Sequence, residues 1–170
     1  GAEAAERCRT ALARVLGAAT QEIALARNAS DGIAWVVGAL DLGPDDEVVT
    51  SDAEGVEVLA ALTGIRERTG AAVRFVPLSA DAHRLDTNLR SVTTPRTRLI
   101  LLSHVSCETG VRGPLEVVRD AIGPHPYFVA DAAQSVGVVP VKVNELRADA
   151  VIGAGHKFLC GPRGTGFTWF

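Results

Sequence analysis

The sequence predicts an α/β protein: a three-layer α/β/α domain built on a mostly parallel sheet. Three observations predict it. Segments with a helical apolar period alternate with short strand-like segments along the whole chain. The strand-like segments are continuously apolar rather than alternating, as expected of strands covered on both faces. No internal repeat or low-complexity linker interrupts the pattern, so residues 1–170 read as one domain.

The elements follow in order. "AERCRTALARVL" carries apolar residues every three or four positions and reads as an amphipathic helix. "EIALA" is a short strand ending at Arg27. "SDGIAWVVGAL" reads as a helix with Ser30 or Asp31 as its N-cap and Gly43-Pro44 as its stop. "DEVVTS" is a strand, "EGVEVLAALTGIRERTG" a helix closed by Gly70, and "AVRFVPL" a strand. "RLDTNLRSVTT" is a short helix ended by Pro95, and "TRLILLSHV" a fully apolar strand. "PLEVVRDAIG" is a helix with Pro114 near its first turn. "YFVAD", "ADAVIGAG" and "TGFTWF" are three further strands.

Composition narrows the class. Of 170 residues, 47% are apolar and 22% charged, with a mean hydropathy of +0.19, which suits a globular domain with a substantial core. A net charge of −3 and a pI near 5.8 argue against nucleic acid or an anionic membrane as partner. No apolar run approaches the roughly 18 residues of a membrane span. Cys8, Cys107 and Cys160 show neither metal-ligand spacing nor a disulfide framework, and the N-terminal stretch lacks signal-peptide character. A reducing cytoplasm is the expected location. The chain has no methionine, begins inside a helical pattern and ends inside a strand pattern, so a piece of a longer protein is expected.

Ligands of such sheets bind outside the carboxyl ends of the strands. The polar residues there are Arg27-Asn28-Ala29-Ser30, Ser51-Asp52, Ser103-His104, Asp131 with Gln134, and Gly155-His156-Lys157. Lys157 is singled out by residue choice. Of the 17 basic residues only Lys142 and Lys157 are lysine; the others are arginine. A desolvated lysine can lose its proton and act as a nucleophilic amine, which guanidinium cannot do. The structural alternative is an ordinary surface lysine. Asp131 reads as an N-cap for "AAQS" or as a carboxylate facing a heterocyclic nitrogen, which it would keep protonated. "RNASDGIAWVV" turns from strand to helix with small residues, and helix N-terminal amides attract anions. It matches neither the P-loop nor the dinucleotide fingerprint, which disfavours a simple nucleotide-binding domain.

"ADAAQSVGVVPVKVNELRADAVIGAGHKFLCGPRGTGF", with "SHVSCETGVRGPL" before it, resembles the pyridoxal-phosphate core of the class V aminotransferase superfamily. Asp-x-x-Gln, His-Lys and Gly-Pro-x-Gly-x-Gly follow in the family's order and spacing. The superfamily includes cysteine desulfurases, selenocysteine lyases, C–S lyases and isopenicillin N epimerase-like enzymes. The resemblance implies a fold type I large domain over residues 1–170. Its sheet would have seven strands with "TGFTWF" antiparallel, and a small domain would lie further along the chain. It implies pyridoxal 5'-phosphate as cofactor, an amino acid substrate and a homodimer with shared active sites. Lys157 would carry the internal aldimine and move the Cα proton. Asp131 would pair with the pyridine nitrogen and Gln134 with the ring hydroxyl oxygen. His156, Ser30 and the amides of Ala29 and Ser30 would hold the phosphate, and Cys107 would line the cofactor site.

Three departures qualify the resemblance. The family stacks a histidine on the ring, where this chain is expected to present Ala53 or Glu54. Ala154 replaces a phosphate-binding serine, and Cys107 stands where desulfurases commonly have asparagine. C–S bond cleavage is the leading activity expected, by a divergent member. A pyridoxal-phosphate epimerase or aminotransferase is the alternative within that chemistry, and a non-catalytic partner subunit the alternative outside it. Cys107 and Cys160 read as pocket-wall or core residues, not persulfide carriers.

Overall fold

A computed structural model describes residues 1–170. Its seven strands form one sheet: β1 (Ile23–Ala26), β2 (Glu47–Ser51), β3 (Ala72–Val76), β4 (Thr97–Ser103), β5 (Tyr127–Asp131), β6 (Ala150–Ala154) and β7 (Gly166–Trp169). They lie in the order β1-β7-β6-β5-β4-β2-β3. Only β7 runs against its neighbours; the pairs β6–β5, β5–β4, β4–β2 and β2–β3 are parallel. The α/β expectation and the antiparallel "TGFTWF" strand are both observed.

Alternate strand residues enter opposite faces, and each face has its own core. Val49, Ile100, Leu102, Phe128, Ala130 and Val151 pack with helices α1 (Ala2–Leu16), α4 (Ala82–Val92), α5 (Val118–Ile122) and α6 (Val143–Leu146). Val48, Leu99, Leu101, Val129 and Ile152 pack with α2 (Ala29–Gly38) and α3 (Val56–Thr69). No strand of the central five is left with a solvated face, so a period-2 pattern never develops in the sequence. No helix is long and apolar enough to cross a membrane.

The structure adjusts several expected elements. The cap of α2 is Asn28, whose side chain accepts the Asp31 amide at 2.8 Å, so the helix starts ahead of Ser30 and Asp31. It also stops at Gly38, before Gly43-Pro44. The segment after Pro114 is a 3₁₀ turn over Leu115–Val117 followed by the five-residue α5. The single-turn α6 was not expected from its sequence, because four residues are too few to show a period.

The two ends of the sheet differ. At the amino end, Glu47 is 1% exposed and takes hydrogen bonds from Thr94 Oγ1 (2.7 Å), Arg96 Nη2 (2.7 Å) and Arg74 Nη2 (2.9 Å). That end is tied together by protein groups. At the carboxyl end the chain reverses its direction of travel across the sheet, since β3 lies outside β2 while β4 returns to its inner side. The helices after β2 and after β4 therefore leave on opposite faces and open a crevice between the two strand ends.

Helix α2 lies unusually close to the sheet. A Cβ on Gly32 would stand 2.5 Å from Thr168 Oγ1 and 2.9 Å from Ile152 Cγ2. Gly→Ala in a helix interior ordinarily gains about 0.5–1 kcal/mol. At position 32 the sign should reverse, with a net loss of about 1–3 kcal/mol from overpacking. Urea denaturation of Gly32→Ala should show a lower midpoint at unchanged slope; a raised midpoint would show that α2 is free to move off the sheet.

Candidate active site

The crevice holds a cavity of about 270 Å³ at the carboxyl ends of β1, β2, β4, β5 and β6. All seven site residues proposed from sequence line it: Ala29, Ser30, Cys107, Asp131, Gln134, His156 and Lys157. Asn28, Ile33, Gly55, Glu57, Val58, Ser103, Val105, Ala133 and Ala154 complete the wall. Other rim candidates point elsewhere. Arg27 pairs with Asp31 in solvent, Asp52 accepts the Leu78 amide, and Ser51 and His104 are buried behind the wall.

Lys157 follows β6 on a tight turn. Gly155 N donates to Thr165 O, Gly161 N to Gly155 O, and Cys160 N to Lys157 O, at 2.8, 2.8 and 3.0 Å. Gly137 allows the turn after β5 to pack against this one: its φ is +96°, and a Cβ there would lie 2.5 Å from the Phe158 carbonyl oxygen. The half-buried Lys157 side chain faces the cavity. Lys142, by contrast, donates its Nζ to the Val15 carbonyl at 2.8 Å. The residue choice that marked Lys157 in the sequence thus coincides with a position in the cavity wall.

Asp131 ends β5 and is 9% exposed. Its Oδ1 accepts the Ala133 amide at 2.8 Å, so the turn-cap reading holds, and the carboxylate still contributes to the cavity wall. Burial raises its pKa to about 6, the Ala133 bond and Lys157 opposing, Glu54 and Glu57 adding. The turn it caps is braced from behind. Arg112 Nε donates to His104 Nε2 at 3.1 Å, which leaves the Nδ1 proton for Ser135 Oγ at 3.0 Å. Ser135 Oγ in turn donates to the Ala132 carbonyl. Burial lowers the pKa of His104, with Arg112 contributing, which favours this neutral form. Sequence reading placed His104 at the rim; its bracing role depends on Ser135, 31 residues away.

Ala29 and Ser30, the first residues of α2, line the same cavity together with Asn28, whose Oδ1 takes the Asp31 amide and leaves the Ala29 and Ser30 amides without a helical acceptor. Cys107 is exposed at the opposite wall, and a Cβ on Gly55 would meet its Sγ at 2.6 Å. Burial raises the Cys107 pKa, and Glu108 and Glu57 add to that. The thiol, not the thiolate, is therefore favoured at neutral pH. Cys160 is exposed on the Lys157 turn at φ +55°, neither in the core nor in this wall. The expectation for the ring-stacking position is corrected as well. Ala53 and Glu54 do not line the cavity; Gly55, Glu57 and Val58 do. Glu54 turns inward to Ser51 and Ser103.

These residues fit pyridoxal phosphate. A primary amine, a buried carboxylate with a single protein hydrogen bond and a helix N-terminus meet around one cavity. Fold and site together have the form of fold type I pyridoxal-phosphate proteins. The chain belongs to the class V aminotransferase family, whose family model matches residues 2–170. It is 32% identical over 151 residues to a cysteine desulfurase of Haloferax volcanii, covering 86% of this chain and 35% of that one. It is 29% identical over 163 residues to an isopenicillin N epimerase of Streptomyces clavuligerus, covering 94% and 41%. A structure of the cystine C–S lyase C-DES with its product cysteine persulfide superposes with a TM-score of 0.90 at 29% identity, covering 97% and 45%. A variant of C-DES, described with glycine covalently linked to the PLP cofactor, gives 0.87 at 30% identity, again covering 97% and 45%. The chain therefore spans 35% to 45% of the length of these proteins.

The raised pKa of Asp131 has a stability consequence. A carboxyl group that holds its proton to about pH 6 when folded, but only to about 3.8 when unfolded, costs stability as pH rises through that interval. In the cofactor-free full-length protein, Asp131→Asn should be more stable than the parent by about 2–3 kcal/mol above pH 7. The difference should vanish below pH 4. Melting curves across that range check it, and equal stability at both ends would mean that Asp131 is solvated.

Proposed function

We propose that the full-length protein is a pyridoxal-phosphate enzyme that acts at Cα of an amino acid and cleaves a C–S bond in a cysteine-like substrate. The observation that carries the reading is the convergence of Lys157, Asp131 and the α2 N-terminus on one cavity. Likeness to a C–S lyase and to cysteine desulfurases supports the bond cleaved. Epimerisation is the second reading, favoured by the epimerase match over nearly the whole chain.

Bound pyridoxal phosphate would supply an aldehyde to the lysine and an electron-accepting ring to the substrate's Cα. The protein's tasks divide among the residues on the cavity wall. Lys157 Nζ would hold the cofactor and then, released by substrate, take the Cα proton. Asp131 would stand against the ring nitrogen and keep its proton in place. Gln134 would donate to the ring oxygen. The amides of Ala29 and Ser30, the Ser30 hydroxyl and His156 would hold the phosphate. Cys107 would form part of the wall and would not serve as a persulfide carrier. A homodimer would complete the phosphate site, which leaves His156 and Ser30 exposed in the single chain.

Borohydride reduction of the full-length protein should fix the cofactor to the peptide containing "GAGHKF". Lys157→Arg and Lys157→Ala should both abolish that label, since neither has a side-chain amine able to condense with the aldehyde. Label at Lys142, or an active Lys157→Arg enzyme, would sink the reading. No label in the parent would favour a non-catalytic partner subunit.

Asp131→Ala should retain the label but turn over at least ten- to a hundredfold more slowly. Loss of a charge-assisted hydrogen bond alone costs about 1.5–3 kcal/mol. A parent-like rate would reduce Asp131 to a turn cap.

A further inference from the structure

Glu54 is a buried carboxylate to which the proposed chemistry assigns no task. It is 4% exposed and lies in the turn between β2 and α3. Its hydrogen bonds come from neutral donors: Ser51 Oγ to Oε1 at 2.6 Å, Ser103 N to Oε1 at 3.0 Å, and Ser103 Oγ to Oε2. Burying a carboxylate without a cation is expensive, and it is tolerated when donors surround it. The donors belong to the last residues of β2 and β4, the strands that flank the crevice. Ser103 also pairs in register with Asp131 across β4 and β5. Ser103 therefore stands between the two carboxyl-bearing residues. It lines the cavity, but its hydroxyl proton is committed to Glu54.

We infer that Glu54 is a positioning residue of this site. It ties the ends of β2 and β4 together and sets a second negative charge behind Asp131, so that the two carboxylates jointly hold a proton on a ring nitrogen placed against Asp131. The inference rests on the cofactor reading above. Two like charges in one poorly solvated region raise each other's affinity for a proton or a cation. Glu54 acts on Asp131 in that sense; Glu57 on α3 acts in the same direction, and Lys157 on the turn after β6 opposes both. Asp131 alone would bind a cationic ring and release its proton at lower pH. With Glu54 behind it, the proton stays on the ring to higher pH, where the ring remains a better electron acceptor.

The test separates charge from mere clamping. Glu54→Gln keeps the size and the acceptor oxygen but removes the charge. In the cofactor-free full-length protein, carboxyl ¹³C NMR should show the Asp131 midpoint falling by about one pH unit in Glu54→Gln. In the parent, the Glu54 carboxyl carbon should shift through the Asp131 transition, so the result does not depend on the variant folding. An unchanged Asp131 midpoint, or no Asp131-linked shift at Glu54, overturns the inference and leaves Glu54 a strand clip. Pyridoxine 5'-phosphate, which has the ring and phosphate but no aldehyde, provides the second readout. Its binding to Glu54→Gln should weaken at about one pH unit lower than to the parent, about tenfold on the falling limb. Coincident pH profiles count against the inference. A parent that shows the carboxyl coupling but does not bind this probe overturns the cofactor reading and the ring-nitrogen half of the inference with it.

Discussion

A carboxylate at the end of a buried strand is the constraint around which this domain is arranged. Asp131 stands in the middle of the sheet, with β4 on one side and β6 on the other. Burial works against its charge. The structure supplies one amide, from Ala133, and braces the turn behind it through Ser135, His104 and Arg112. It does not supply a bound arginine or a full set of donors. What remains is a site with an affinity for a cation, facing a cavity that also presents a lysine and a helix N-terminus. A protonated heterocycle carrying an aldehyde and a phosphate meets all three demands.

The rest of the architecture holds these groups in their places. Parallel pairing puts Ser103 and Asp131 at the same height, and the turn that follows β6 brings Lys157 round to the same cavity. The packing of Gly137 against Phe158 sets the segment after the Asp131 turn directly against the Lys157 turn. Gly32 lets α2 lie against β6 and β7, which brings its first turn to the cavity rim. At the far end, Glu47 with Thr94, Arg74 and Arg96 closes the sheet with internal partners. At the carboxyl end Ser51, Ser103 and His104 are likewise spent on structure, while Lys157, Gln134 and Ser30 line the cavity.

Membership of the class V aminotransferase family agrees with this geometry, and the departures from the family's pattern gain a location. The wall that a stacking histidine would cover is formed by Gly55, Val58 and Glu57, with Cys107 against Gly55. That wall carries an acidic residue, Glu57. Cys107, with its pKa raised, suits a neutral wall better than a sulfur carrier.

Much of the site was legible in the sequence, for a physical reason. Parallel strands covered on both faces are unbroken apolar runs, so the first polar residue after each run marks its carboxyl end. Asp131 after "YFVA" and the pair His156-Lys157 after "AVIGAG" are found that way, and residue choice separates Lys157 from the arginines. The turns were not legible. Between β2 and α3 no period dictates which side chain points where, and only the packed chain turns Glu54 inward and Gly55 to the cavity. Asn28 rather than Ser30 or Asp31 caps α2, because the cap is chosen by the angle at which the chain leaves β1. The bonds of Glu54 to Ser103 and of His104 to Ser135 span 49 and 31 residues. Local pattern decides which residues stand at strand ends; only the tertiary structure decides which of those ends face one another.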